Sequence, residues 1–213
     1  AILKISISVF LIAIILLLIS FLTTYIPRYS IISKTYDKIQ EAKNMDNYKF
    51  TMTQYYITPN SEEINSFTDI YYYKDGTFKS ESYSNNTKEI INYGNIYTND
   101  VIHKDYNTNT SFNNTTYPYK SKGSIFNCFI DIENYMQNKL NIISLKIKED
   151  TYNDKDCYVI LFGNTRELWI DKKIMLPVRE VQKNNGEINF ERTFLIETNI
   201  VSDNDIFPPD SEN

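Results

Sequence analysis

The stretch 67-FTDIYYYKDGTFKSESYS-84 decides the fold. Residues 67–74 and 77–84 carry strand signals and flank Asp75-Gly76, a pair that accepts the positive φ angles of a two-residue hairpin turn. Just upstream, in 48-YKFTMTQYY-56, Tyr48, Phe50, Met52 and Tyr56 alternate with polar residues, as on a strand with one buried face. Downstream, 88–93 and 96–103 flank Gly94-Asn95 as a second hairpin. The polar run 104–124 reads as a loop whose apolar content is little more than Phe112, Tyr117 and Tyr119. In 125-IFNCFIDIENYMQNKL-140 the period lengthens, and Ile125, Phe126, Phe129, Ile132, Tyr135, Met136 and Leu140 fall on one side of a helix. Four more strands are predicted at 142–149 (Ile143, Leu145 and Ile147 inward), 157–163, 166–172 and 178–183. A long last one, 187–199, follows the turn Asn184-Asn185-Gly186.

Another helix is expected in 29-YSIISKTYDKIQEAKNM-45, where Ile32, Tyr36, Ile39 and Ala42 or Lys43 form a stripe, and Pro27 suits a break or a helix start just before it. Eight or nine successive strands with short turns imply one antiparallel sheet too large to stay flat. The expected class is α+β: a curved antiparallel sheet, or incomplete β-barrel, wrapped on one or two helices. No solenoid repeat is present.

Ahead of this domain, Ile5 to Ile26 is an uncharged run of 22 residues. At about 1.5 Å per residue it is roughly 33 Å long, enough to cross a hydrocarbon core of about 30 Å. It exceeds the h-region of a signal peptide, lacks a small-x-small cleavage site, and has no cysteine close behind it for lipidation, the first being Cys128. The expected organisation is a single transmembrane anchor at 1–28 and one domain at 29–213. Lys4 precedes the helix while Arg28, Lys34 and Lys38 follow it, which on a simple count places the domain inside the cell. The first residue is not Met, so basic residues ahead of Ala1 would change that count. The asparagine-rich 107-NTNTSFNN-114 and the pair of cysteines favour the outside, and an extracytoplasmic domain is the expectation adopted.

After the apolar run, 21 basic residues face 27 acidic ones, a balance of −6 that argues against nucleic acid and anionic lipid surface as main partners. The abundant Tyr, Asn, Ile and Lys fit an AT-rich coding sequence, and the sequons at Asn85, Asn109, Asn113 and Asn114 read as accidents of that composition. Chemistry has little support. His103 is the sole histidine, which leaves no histidine-rich metal site or Ser–His triad to assemble. The five glycines form no phosphate-binding motif. Asp150, Asp154 and Asp156 cluster as turn carboxylates, although a glycosidase pair need not be close in sequence. No catalytic residue, metal or cofactor is predicted. Cys128 and Cys157 either form a disulfide closing a loop of about 30 residues, worth roughly 3.5 kcal/mol, or pack as free thiols.

The run 167-ELWIDKKIMLPVREVQKNNGEINFERTFLIETNIVSDNDIFPPD-210 resembles the closing segment of the lipoprotein-carrier superfamily of LolA, LolB and RseB. The shared pattern is a strand ending like Trp169-Ile170-Asp171, a basic pair, and Leu176-Pro177 entering the next strand. A turn with Gly186, a strand ending near Ile196 to Asn199 and a terminal Asp205-Ile206-Phe207-Pro208 complete it. The composition brings the GerS-like spore-germination lipoproteins of Gram-positive spore formers nearest, although those are lipid-anchored through a cysteine that this chain lacks. The resemblance implies a LolA-like half-barrel that holds a lipoprotein acyl chain or an envelope protein on its concave face, in germination or envelope maintenance. Candidate groove residues are Phe50, Met52, Tyr72, Phe78, Phe129 and Trp169, the last with a core reading as well. The rivals are a cell-wall hydrolytic enzyme, which needs convergent polar side chains in the concavity, and an envelope-stress sensor ectodomain.

Overall fold

In a computed structural model describing residues 2–57, 64–98, 100–113 and 122–207, with backbone alone at 2–8, 112 and 113, the apolar run is helical throughout. Helix α1 (Ile2–Ser20), one wide π turn (Phe21–Tyr25) and helix α2 (Ile26–Lys43) form a continuous rod. Of the break or helix start expected at Pro27, the structure has the start, without interrupting the rod. Pro27 lies in the first turn of α2, and just before it the ladder widens, Ile26 N–H reaching five residues back to the Phe21 carbonyl. The wide turn accommodates a residue that has no N–H of its own. From Val9 to Ser20 the rod is exposed on every side, whereas Ile32, Thr35, Ile39 and Ala42 make a buried stripe along α2.

The sheet comprises, among the described residues, eleven antiparallel strands: β1 (Asn47–Ile57), β2 (Ile64–Lys74), β3 (Thr77–Ser84), β4 (Thr87–Asn95), β5 (Val101–Asp105), β6 (Thr110–Asn113), β7 (Lys146–Tyr152), β8 (Lys155–Phe162), β9 (Arg166–Asp171), β10 (Pro177–Asn184) and β11 (Glu187–Thr198). Their spatial order, β6-β5-β4-β3-β2-β1-β11-β10-β9-β8-β7, is a meander folded at one seam. The first and last strands meet in the middle over nine paired positions, from Tyr48↔Thr198 to Tyr56↔Phe190. The sheet is open and curved, with β6 and β7 at its edges. Between those edges run a 3₁₀ turn (Ser124–Phe129), α3 (Ile130–Gln137) and a second 3₁₀ turn (Lys139–Ser144), packed with α2 against the concave face. A last short helix, α4 (Asp203–Ile206), follows β11.

Four hairpins turn on residue pairs with two positive φ angles: Asp75-Gly76, Asn85-Asn86, Asn153-Asp154 and Asn185-Gly186. Those angles match the right-handed strand twist, and Asn and Asp tolerate them better than other L residues. Several asparagines thus have a structural task that composition alone does not suggest.

Three boundaries differ from expectation. Strand β4 runs on through Gly94 and Asn95, and the reversal follows, with Asn95 Oδ1 accepting the Tyr97 N–H at 2.8 Å. Gly94 is needed for space, since a Cβ there would lie 2.5 Å from the Phe78 ring. The loop expected at 104–124 contains β6, which pairs with β5; Tyr117, Tyr119, Asn114 and Pro208 lie outside the described residues. The helix expected at 125–140 is the three short pieces above, and β7 starts only at Lys146. In consequence Leu140 and Ile143, both expected inward, are 75% and 54% exposed, while Ile142 and Leu145 are buried.

Candidate binding site on the concave face

The β1·β2 and β1·β11 registers place Phe50 between Tyr71 and Ile196, and Met52 between Asp69 and Phe194. The even-numbered residues of β1 therefore line the concave face with their partners. Over half of that face the lining is aromatic and filled. Phe126 stands edge-on to Phe50 at 5.3 Å, Phe129 edge-on to Phe194 at 4.8 Å, and Tyr71 stacks on Phe78 at 5.6 Å. Burial pushes the Tyr48 hydroxyl above the usual tyrosine range.

Past Met52 the helices no longer cover the sheet, and the lining changes. Gln54, Tyr56, Asn65, Phe67, Asp69, Ser82, Tyr83 and Glu89 surround an open depression of about 530 Å³. Its apolar wall is a run of edge-on rings, Tyr56 lying 5.8 Å from Phe67 and 5.2 Å from Phe190. Tyr56 is 47% and Phe67 39% exposed, high for aromatic side chains on an inner face. Its polar wall is internally bonded. Ser82 donates to Asp69 at 2.7 Å, yet burial outweighs that bond and the nearby Arg192 charge, so the Asp69 carboxyl is pushed above its usual range. Arg192 reaches Gln54 at 3.4 Å and Glu180 at 3.5 Å. Glu180 also receives Arg166 at 2.8 Å, and Arg166 pairs with Asp131 of α3. A chain of charges thus runs from the wall of the depression to the helix that covers the other half.

The six candidate groove residues do not form one surface. Phe50, Met52, Phe78 and Phe129 face the concavity but lie beneath the helices, at most 6% exposed. Tyr72 and Trp169 point to the convex face. Tyr72 lies beneath Lys79 at 4.4 Å and bonds Glu81; Trp169 packs in a separate cluster with Cys157, Val159, Val178 and Tyr152. The possible disulfide is also corrected. Both thiols are free, because Cys128 packs into the concave core while Cys157 belongs to the convex cluster, with the sheet between them. Burial pushes the Cys128 thiol up to about 12.

His103 Nδ1–H donates to Asn92 Oδ1 at 2.8 Å, and Asn92 Nδ2 donates to Ser80 at 3.0 Å, a ladder of polar pairs across β5, β4 and β3. Among the described residues, no group of three or more His, Cys, Asp and Glu side chains could hold a metal ion. Sequence reasoning missed Gln54, Phe67, Asp69 and Ser82. The available signal was the Asp-Gly turn, which fixes which residues of β2 and β3 share a face.

No protein-family model and no curated protein matches this sequence. Solved structures do. A LolA superfamily protein from Nitrosomonas europaea is 9% identical over 82% of this chain and 97% of its own, with a TM-score of 0.33. LprF from Mycobacterium bovis is 10% identical over 78% of this chain and 91% of its own, with a TM-score of 0.38. A putative outer membrane lipoprotein-sorting protein domain from Vibrio parahaemolyticus is 10% identical over 81% of this chain and 94% of its own, with a TM-score of 0.32. None of the three supports the narrower likeness to the GerS-like lipoproteins.

Proposed function

We propose that this chain is a membrane-anchored, extracytoplasmic binding protein without catalysis, which holds an acyl chain or an apolar protein segment on its concave sheet. One observation carries the reading: beside a filled aromatic half, the concave face keeps an open depression of about 530 Å³ walled by Tyr56 and Phe67. A concave site with an apolar wall and a few fixed polar groups suits a ligand that is mostly apolar with a polar end. Burial against the ring wall would drive binding at roughly 25 cal/mol per Å². Anchoring rests on the N-terminal helix, long and apolar enough to cross a membrane and exposed where it is most apolar. The test is titration of a fluorescent acyl probe into residues 29–213, with folding checked by circular dichroism. Tyr56→Glu with Phe67→Glu should abolish saturable binding and leave the spectrum unchanged; unaltered binding would reject the site.

A second reading has one specific observation in its favour. Asp69, held toward its protonated form, and Glu89 line the same depression, as an acid and a second carboxylate would in a glycoside hydrolase. Hydrolysis of a cell-wall glycan that Asp69→Asn abolishes would replace the binding function with that one.

A further inference from the structure

The overall charge of the domain points away from anionic surfaces, but the charge is not evenly spread. Where the apolar rod enters the domain, two depressions of about 260 and 350 Å³ flank Pro27 and Ile31. The side chains lining them include four cations, Arg28, Lys34, Lys148 and Lys172, against one acid, Glu149, which Lys172 holds at 2.8 Å. The second 3₁₀ turn joins this rim: Arg28 donates to the Ile143 carbonyl at 2.7 Å, and Lys139 lies 5.6 Å from the Tyr29 ring centre. That turn and the β9–β10 turn also expose apolar side chains, with Leu140 at 75%, Ile143 at 54% and Ile174 at 42%. Isolated exposed apolar residues need no explanation, but three on turns that border a cationic rim do.

We infer that this rim docks onto the anionic phospholipid headgroups of the membrane that α1 crosses, with lipid phosphates in the two depressions beside Pro27 and Leu140, Ile143 and Ile174 dipping into the interface. The inference rests on the anchoring reading above. Because α1, the π turn and α2 are continuous, the position of the membrane fixes the height of the rim. With the hydrocarbon ending near Ile26, Arg28 stands about 3 Å and Lys34 about 12 Å above it at 1.5 Å per residue. The headgroup layer is about 5–8 Å deep, and the reach of a lysine side chain and a Debye length of about 8–10 Å cover the remaining distance. Basic residues at such a surface attract anionic lipid, and apolar neighbours that enter the interface hold the domain in one orientation. Docking would turn the mouth of the concave site to a constant height above the bilayer.

The experiment uses the full chain in vesicles of phosphatidylcholine alone or with phosphatidylglycerol. Leu140→Cys carries an environment-sensitive fluorophore, and quenching by spin-labelled headgroups reports docking. Lys34→Gln, Lys139→Gln and Lys173→Gln are combined, since Lys173 lies between Lys172 and Ile174 on the β9–β10 turn, all three lysines are exposed, and none is in an ion pair among the described residues. At about five-fold per lysine, the triple variant should lower the docked-to-undocked ratio roughly a hundred-fold. Quenching should depend on phosphatidylglycerol and be reversed by salt. Equal quenching in both vesicles, or no effect of the triple variant, overturns the inference while leaving the anchor intact. Loss of the chain from vesicles on alkaline washing overturns the anchoring reading, and this inference with it.

Discussion

Phe129→Ala separates a structural helix pair from a removable cover. Phe129 is 2% exposed and stands edge-on to Phe194 at 4.8 Å, with Phe50 at 6.3 Å. Truncating so buried a ring removes its transfer energy and leaves a cavity, at a cost of about 3–5 kcal/mol. In a domain of this size each kcal/mol moves the midpoint by about 2–4 °C, so the melting temperature should fall by roughly 6–20 °C. Leu140, eleven positions on in the same segment, is 75% exposed, and Leu140→Ala should shift the midpoint by no more than about 2 °C. The assay is a thermal melt of the full chain in mild detergent, followed through the fluorescence of Trp169, the lone tryptophan, which lies in the convex cluster and so reports on the sheet as a whole. A Phe129→Ala protein that melts with the wild type would refute the reasoning. It would mean that residues 124–144 come away from the sheet, and that the aromatic half is itself a ligand groove.

Removing residues 1–28 should release a soluble, folded domain, because α1 is exposed from Val9 onward and the buried stripe begins at Ile32; aggregation of the truncated chain, seen by gel filtration, would move the boundary. Two thiols should titrate with Ellman's reagent after unfolding, slowly or not at all before it, and reductant should leave the melting temperature unchanged. Burial raises the Asp69 carboxyl, so ionising it costs the folded state stability at neutral pH, and that cost disappears below the unfolded value of about 3.9. Asp69→Asn should therefore raise the melting temperature at pH 7, with the gain shrinking toward pH 4. Asn47 accepts the Val201 N–H at 3.0 Å and donates to its carbonyl at 2.8 Å, closing the seam where β1 meets the end of β11; Asn47→Ala should cost about 1–3 kcal/mol by the same melt.

The meander was legible because turn chemistry and alternation agree: Asp75-Gly76 fixed β2 and β3 to the residue at their shared turn, and Gly186 the hairpin before β11. What alternation could not give was which face is which. Residues 71–73 are three tyrosines, and only the pairing of Phe50 with Tyr71 sends Tyr71 and Tyr73 inward and Tyr72 outward. Trp169 was equally ambiguous, because β9 is buried on both faces and shows no alternation. The segment 125–140 carried a helical period, but two 3₁₀ turns alter the rotation per residue, so Leu140 came out on the wrong side, and Ile143, read as inward on a strand from 142, lies in the second of those turns instead. The rim beside Pro27 was hidden for a different reason. Its cations lie far apart in sequence, on α2, β7 and the β9–β10 turn, and a net charge averages them away.

Binding on the concave face is tested most directly in the intact chain by placing a photo-crosslinking residue at Phe67 in one protein and at Tyr72 in another. The two positions are five residues apart on β2 and point to opposite faces of the sheet. After irradiation in the native membrane, the account predicts that the Phe67 position is joined to an acyl chain or protein segment, identified by mass spectrometry, and that the Tyr72 position is not. Crosslinking at Tyr72 with none at Phe67 would contradict it.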